Sequence, residues 1–153
     1  MKTEQIIKDF LEKLGINTDS VEKKESELDE CFRYVINTPE AAVLIGNRGE
    51  TLSSLSHILK KIIDKNTEEE YQEKFFIDIG DYQNKKIQDI KNRAIILAER
   101  ARFFKKNVEM PPMSAYERMI VHSTFTNYID IETESFGRGY ERRVILKYKG
   151  EDY

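Results

Sequence analysis

The sequence has one cysteine, Cys31, no tryptophan, three prolines and seven glycines among its 153 residues. A lone cysteine closes no internal disulfide. With no neighbouring cysteine it also lacks a zinc-ligand spacing, which points to a reducing compartment. Long apolar runs are missing too: the longest is five residues, as at residues 41–45, against the roughly 20 that a membrane-crossing helix needs. Residues 1–15 are too polar for a secretory signal. The expectation is a cytoplasmic chain with no direct membrane insertion. No P-loop, dinucleotide fingerprint or metal-ligand spacing occurs, so no cofactor is expected. Acid–base cleavage would need two positioned groups, and nothing in the sequence pairs His57 with His122. Cys31 reads as a small hydrophobe inside a strand, and the chain is expected not to be an enzyme.

Charge, by contrast, is abundant. Lys and Arg number 25 against 28 Asp and Glu, a net of −3 with 35% charged residues. The average conceals an asymmetry: residues 1–80 carry 11 basic and 17 acidic residues, residues 81–153 carry 14 and 11. Screening at physiological salt acts over about 8 Å, so a basic face binds phosphate even on a protein of negative net charge.

Periodicity supplies the elements. Ile6, Ile7, Phe10, Leu11 and Leu14 give residues 3–14 the rhythm of an amphipathic helix ended by Gly15. Residues 16–25 are polar and ambiguous, with an edge strand one reading, whereas residues 31–36 have the β-branched and aromatic content of a buried strand. Pro39 suits a first helical turn and opens a short helix at residues 40–45, interrupted by Gly46-Asn47-Arg48-Gly49. A longer helix then carries the stripe Leu52, Leu55, Leu59, Ile62 and Ile63 to about residue 64, and residues 74–79 read as a strand. From residue 83 to 106, Ile87, Ile90, Ala94, Leu97, Ala101 and Phe104 recur at threes and fours among eight Lys and Arg residues, a long basic helix. A short strand at residues 108–110, a helix capped by Ser114 and running to about residue 126, and a hairpin of strands 131–136 and 141–148 follow. Gly137-Arg138-Gly139 supplies the positive φ angles of the hairpin turn. The fold class is α+β, with domains at residues 1–80 and 81–153.

The Gly-x-x-Gly segment carries the first functional expectation. Glycine lets backbone approach a ligand closely, and a helix that starts there offers unpaired N–H groups to an anion, with Arg48 able to add a charge-assisted hydrogen bond. Spacing alone is satisfied by any glycine-bounded turn. In its setting of strand, helix, loop, helix and strand, however, residues 44–52 resemble the KH domain of single-stranded nucleic-acid binding proteins, and the extra helix and strand ahead resemble its type II arrangement. The resemblance implies that Gly46, Asn47, Arg48 and Gly49 clamp a nucleotide backbone. Neither variable position is acidic. Lys60, Lys61 and Lys65 extend that site or are a solvated helix end.

In the second half, Arg118 and His122 are four apart on an expected helix and share a face. Guanidinium offers a planar fork of donors and imidazole a further N–H, so together they suit one phosphate. The setting, with Met110-Pro111-Pro112-Met113-Ser114 before the helix and Ile131-Glu132-Thr133-Glu134-Ser135-Phe136-Gly137 and Arg142-Arg143-Val144-Ile145 after it, resembles the Arg-x-x-x-His (R-three-H) domain over about residues 85–149. The two domains in this order resemble the Jag, or SpoIIIJ-associated, family of bacterial RNA-binding proteins linked with cell envelope growth. Members commonly carry a further small N-terminal domain ahead of the KH domain, and this sequence starts at the KH opening helix.

The resemblance implies a sequence-tolerant binder of single-stranded RNA, holding backbone at Gly46 to Gly49 and a second phosphate at Arg118 and His122, with a role in post-transcriptional regulation. If His122 touches phosphate, binding tightens between about pH 8 and about pH 6. Two other readings stay open: a KH fold serving as a scaffold, for a homodimer or a heterodimer with another KH protein, and single-stranded DNA as ligand, since phosphate clamping and stacking do not distinguish the sugar.

Overall fold

A computed structural model describes residues 2–26 and 30–150. The described chain divides into two compact units, one ending at Asn84 and one beginning at Lys85.

In the first unit the order is α1 (Thr3–Lys13), β1 (Ser20–Glu25), β2 (Phe32–Asn37), α2 (Ala41–Ile45), α3 (Glu50–Asn66) and β3 (Phe75–Ile79). The sheet has strand order β1-β2-β3, with β1 antiparallel and β3 parallel to β2. Alternation along the strands places Tyr34 and Ile36 of β2 beside Ile77 and Ile79 of β3 on one face. Ile7 and Leu11 of α1 and Leu52, Leu55, Leu59 and Ile63 of α3 bury themselves in the same core. Each such aliphatic side chain contributes about 1.5–3 kcal/mol when fully buried.

The opposite face of β2 is buried as well, which alternation alone does not foretell. Arg33, Val35 and, on β3, Asp78 point that way, and Asp78 is 0% exposed. Its carboxylate accepts from Arg33 Nη1 (3.0 Å) and from the backbone N–H groups of Gln83 (2.8 Å) and Asn84 (3.1 Å), the first turn of α4 (Tyr82–Phe104). A buried carboxylate at a helix start satisfies orphan donors and the macrodipole together. Burial pushes the Asp78 carboxyl up from its ordinary pKa, while the two N–H groups and Arg33 pull it back.

Most of α4 belongs to the second unit, with β4 (Val108–Glu109), α5 (Ala115–Thr124), β5 (Ile131–Phe136) and β6 (Arg143–Tyr148). The sheet order is β4-β6-β5, antiparallel throughout. Ala94, Ala98 and Ala101 give α4 a narrow buried stripe that packs with Met110, Val121, Phe125, Ile131, Val144 and Leu146.

Several expected boundaries shift for local reasons. Pro39 sits in a turn ahead of α2 rather than in its first turn. Cys31 precedes β2 rather than lying in it, half-buried, and burial pushes its thiol up in pKa. The long basic helix stops at Phe104 because Lys105 takes a left-handed φ of 53°. Phe104, placed by periodicity on the apolar stripe, is exposed. The last strand begins at Arg143, since Gly139–Glu141 forms a 3-10 turn.

Candidate nucleic-acid interface

The Gly-x-x-Gly segment links α2 to α3 through a one-turn 3-10 helix at Asn47–Gly49. Gly46 has φ 72° and ψ −167°, a region essentially reserved to glycine. A Cβ there would lie 2.1 Å from Thr51 Oγ1 and 2.7 Å from Thr51 Cβ. Gly49, at φ 80° and ψ 14°, is the left-handed N-cap of α3, and a Cβ on it would meet the Tyr82 ring at 3.2 Å. Both glycines are therefore required by the turn itself. Between them Asn47 and Arg48 are exposed, and Arg48 adopts a left-handed φ of 53°. Arg48 has no ion-pair partner among the described residues.

In the same unit, Ser56, His57 and Lys60 of α3 and Phe75, Phe76 and Ile77 of β3 line a depression of about 180 Å³. The Ser56 Oγ is buried without a hydrogen-bond partner there. Lys60, singled out by sequence as an extension of the loop, belongs to this depression, whereas Lys61 and Lys65 do not line it.

In the second unit Ser114 caps α5 in a reciprocal box: its Oγ accepts from Glu117 N–H (3.2 Å) and its own N–H donates to Glu117 Oε2 (2.8 Å). The cap fixes the first turn, and Arg118 follows it. Arg118 Nη1 donates to the Met113 carbonyl at 2.7 Å. No other partner for its guanidinium is found among the described residues. Arg118 also lines an open depression of about 590 Å³ together with Met113, Ser114, Glu117 and Tyr140.

His122 sits four residues on but in different company. Its Nδ1 is 2.6 Å from Thr133 Oγ1 and its Nε2 is 2.9 Å from Ser135 Oγ, so both ring nitrogens are engaged by hydroxyls of β5. Burial and then the charge of Arg118 hold its pKa below the usual 6.5. The imidazole is neutral at pH 7 and ties α5 to β5. It does not line the depression that Arg118 lines. Sequence reasoning missed Thr133 and Ser135. The signal was present in the alternation of β5, which puts both on the same face as buried Ile131.

The basic excess of the second half is unevenly available. Arg143 pairs with Glu109, Lys147 with Glu134 and Lys149 with Glu132 on the outer side of the sheet, and Arg102 bonds Asp130 and Glu99. Among the described residues, Arg93, Arg100, Lys105, Lys106, Arg118 and Arg138 have no carboxylate partner.

Among the described residues no group of His, Cys, Asp and Glu is arranged to hold a metal ion, and no helix is long and apolar enough to cross a membrane. Three relatives are named RNA-binding protein KhpB. That of Bacillus subtilis is 30% identical over 125 residues, covering 80% of this chain and 59% of the relative. That of Clostridium symbiosum is 29% identical over 133 residues, covering 87% and 58%. That of Lactiplantibacillus plantarum is 24% identical over 139 residues, covering 89% and 41%. The chain thus spans less than three fifths of the length of the curated relatives it matches. Residues 87–148, which include Arg118 and His122, match the family profile of the R-three-H domain.

Proposed function

We propose that this chain binds single-stranded RNA through both units, with the first acting as a type II KH domain. The observation that carries the reading is a pair of cations, the exposed Arg48 and the half-buried Arg118 that borders an open depression, neither neutralised by a carboxylate among the described residues. Gly46 and Gly49 let the loop backbone approach a nucleotide chain, and Asn47 and Arg48 present donors to its phosphates. The depression lined by His57, Lys60 and Phe76 offers an apolar wall for bases beside it. In the second unit Arg118 holds a further phosphate. His122, with both nitrogens engaged, positions α5 and makes no phosphate contact. The order helix, strand, strand, helix, loop, helix, strand supports the KH reading, and the names of the relatives support RNA as the ligand. Such a protein acts in the cytoplasm, in post-transcriptional regulation linked to cell envelope growth or cell elongation.

Fluorescence anisotropy of a labelled single-stranded RNA pool and its DNA counterpart, at two salt concentrations, tests this. Asn47→Asp with Arg48→Asp places two negative charges where phosphate sits and abolishes most binding. Arg118→Ala lowers the salt slope by about one unit, one phosphate contact fewer. Unchanged affinity in both variants removes the mechanism. A wild-type chain that binds neither pool leaves the dimerisation scaffold, which light scattering then measures.

A further inference from the structure

Tyr140 is the most exposed large hydrophobic residue among those described, 103% against 95% for Ile129 and 79% for Phe103, the next aromatic. It packs on nothing, yet the backbone that carries it is firmly braced. The turn between β5 and β6 is closed by Glu141 N–H to Arg138 O (3.2 Å), Arg142 N–H to Gly139 O (3.2 Å) and Arg142 Nη1 to Gly137 O (3.0 Å). Gly137, at φ 97°, lies so close that a Cβ there would meet the Glu141 carbonyl at 3.0 Å. The turn is then joined to the segment ahead of α5, since Met113 N–H donates to Arg142 O at 3.1 Å. The same Met113 offers its carbonyl to Arg118 Nη1. One peptide group on each side of Met113 therefore fixes both the tyrosine turn and the arginine, and Tyr140 and Arg118 line one open depression. Glu117, the one acid among its lining residues, turns its carboxylate to the Ser114 N–H.

A ring carried on braced backbone but buried in nothing contributes no hydrophobic stabilisation to the fold, and its flat apolar faces remain available. Beside it stands a guanidinium with one N–H engaged and the others unpartnered. A flat, uncharged ring joined to an anion one short bond path away is the chemistry that fits both, and an unpaired nucleotide has it. We infer that Tyr140 is a stacking platform for an unpaired base of the strand whose phosphate Arg118 holds. This inference rests on the RNA-binding reading above and deepens it: Arg118 supplies affinity that depends on salt, and Tyr140 supplies affinity that depends on the presence of a base. A ring reads the face of a base rather than its edge, so this contact is tolerant of sequence and favours the larger face of a purine.

The experiment uses the full chain and two labelled probes of equal length, oligoadenylate and a strand of abasic ribose phosphates with the same charge. Tyr140→Ala weakens oligoadenylate binding roughly tenfold, within the range found for loss of one base–aromatic stack. The same variant leaves the abasic probe and the salt slope unchanged. Tyr140→Phe restores oligoadenylate binding, because stacking needs the ring and not the hydroxyl. Arg118→Ala weakens both probes alike. Since Tyr140 is wholly exposed, both of its variants fold, and their circular dichroism matches wild type. Wild-type binding of oligoadenylate that Tyr140→Ala leaves unaltered, or an equal loss on both probes, overturns the stacking role alone. Failure of the wild type to bind either probe overturns the RNA-binding reading with it.

Discussion

Asp78→Ala perturbs the structure where it has least freedom to adjust. The carboxylate is 0% exposed and accepts from Arg33 and from two N–H groups at the start of α4. Removing one partner of a buried ion pair costs about 3–5 kcal/mol, because the remaining charge is left uncompensated. Arg33 is not wholly abandoned, since Asp81 Oδ1 lies 3.3 Å from its Nη2, but that carboxylate is 60% exposed and screened by water. The two orphaned N–H groups add roughly 1 kcal/mol, the usual worth of a lost helix cap. The net expectation is a loss of about 3–4 kcal/mol from the first unit. With a urea slope of about 1–3 kcal/mol/M, its unfolding midpoint falls by at least about 1 M. Far-UV circular dichroism during urea titration reads the shift. The double substitution Arg33→Met with Asp78→Leu is the control: replacing both charges with apolar groups of similar volume is often neutral or stabilising, so it recovers most of the loss. A cost below about 1 kcal/mol for Asp78→Ala, or a double variant as unstable as the single, refutes the buried charge as the cause.

Gly46→Ala lowers the melting temperature more than Gly49→Ala does, because the first substitution combines a glycine-only backbone with a Cβ 2.1 Å from Thr51 Oγ1, and the second meets only the Tyr82 ring at 3.2 Å. Strained backbone costs of order 1–3 kcal/mol at such positions, and an equal or reversed order in a thermal melt refutes the geometry. For His122 the folded pKa lies below 6.5, so the proton prefers the unfolded chain. Its stabilising contribution is complete above about pH 6.5 and is lost as pH falls through the folded value. Wild type accordingly loses more of its melting temperature than His122→Asn on going from about pH 7.5 to about pH 5, and parallel profiles would set the linkage aside. RNA affinity, by the same token, does not tighten over about pH 8 to about pH 6 as an imidazolium at phosphate would require.

Most elements were legible because they rest on local rules. The spacing of Leu52, Leu55 and Leu59 names α3, and Ser114 with Glu117 names the start of α5, since a helix repeats every 3.6 residues and a cap acts within one turn. Phe104 shows where this reading fails. Periodicity carries the stripe one step too far, because Lys105 in a left-handed conformation ends α4 before the next residue can be covered. Arg33 shows the second failure. Its strand was read as buried from its aromatic and β-branched residues, but no local rule reveals that Asp78, 45 residues away, compensates its charge inside the second face.

The site divides along the same line. Gly46 and Gly49 declare themselves, because positive φ is a property of single residues and leaves glycine as its signature. Arg118 and His122 also declare themselves, as a spacing, but the spacing cannot say what each side chain meets across the sheet. Thr133 and Ser135 lie 11 and 13 residues from His122, and they occupy the two nitrogens that a phosphate would need. A pair that sequence joins in one role is thereby split. The arginine keeps free donors over an open depression, and the histidine becomes the peg that holds its helix against β5. The residue that shares Arg118's depression instead is Tyr140, 22 residues away and brought to it by hydrogen bonds on both sides of Met113. Those bonds are backbone contacts, which any residue type makes and which leave no mark in the side-chain pattern. An aromatic ring with nothing to pack against is indistinguishable in sequence from one in a core. Only the fold separates the two, by leaving Tyr140 on the rim of a depression whose one cation, Arg118, keeps donors to spare.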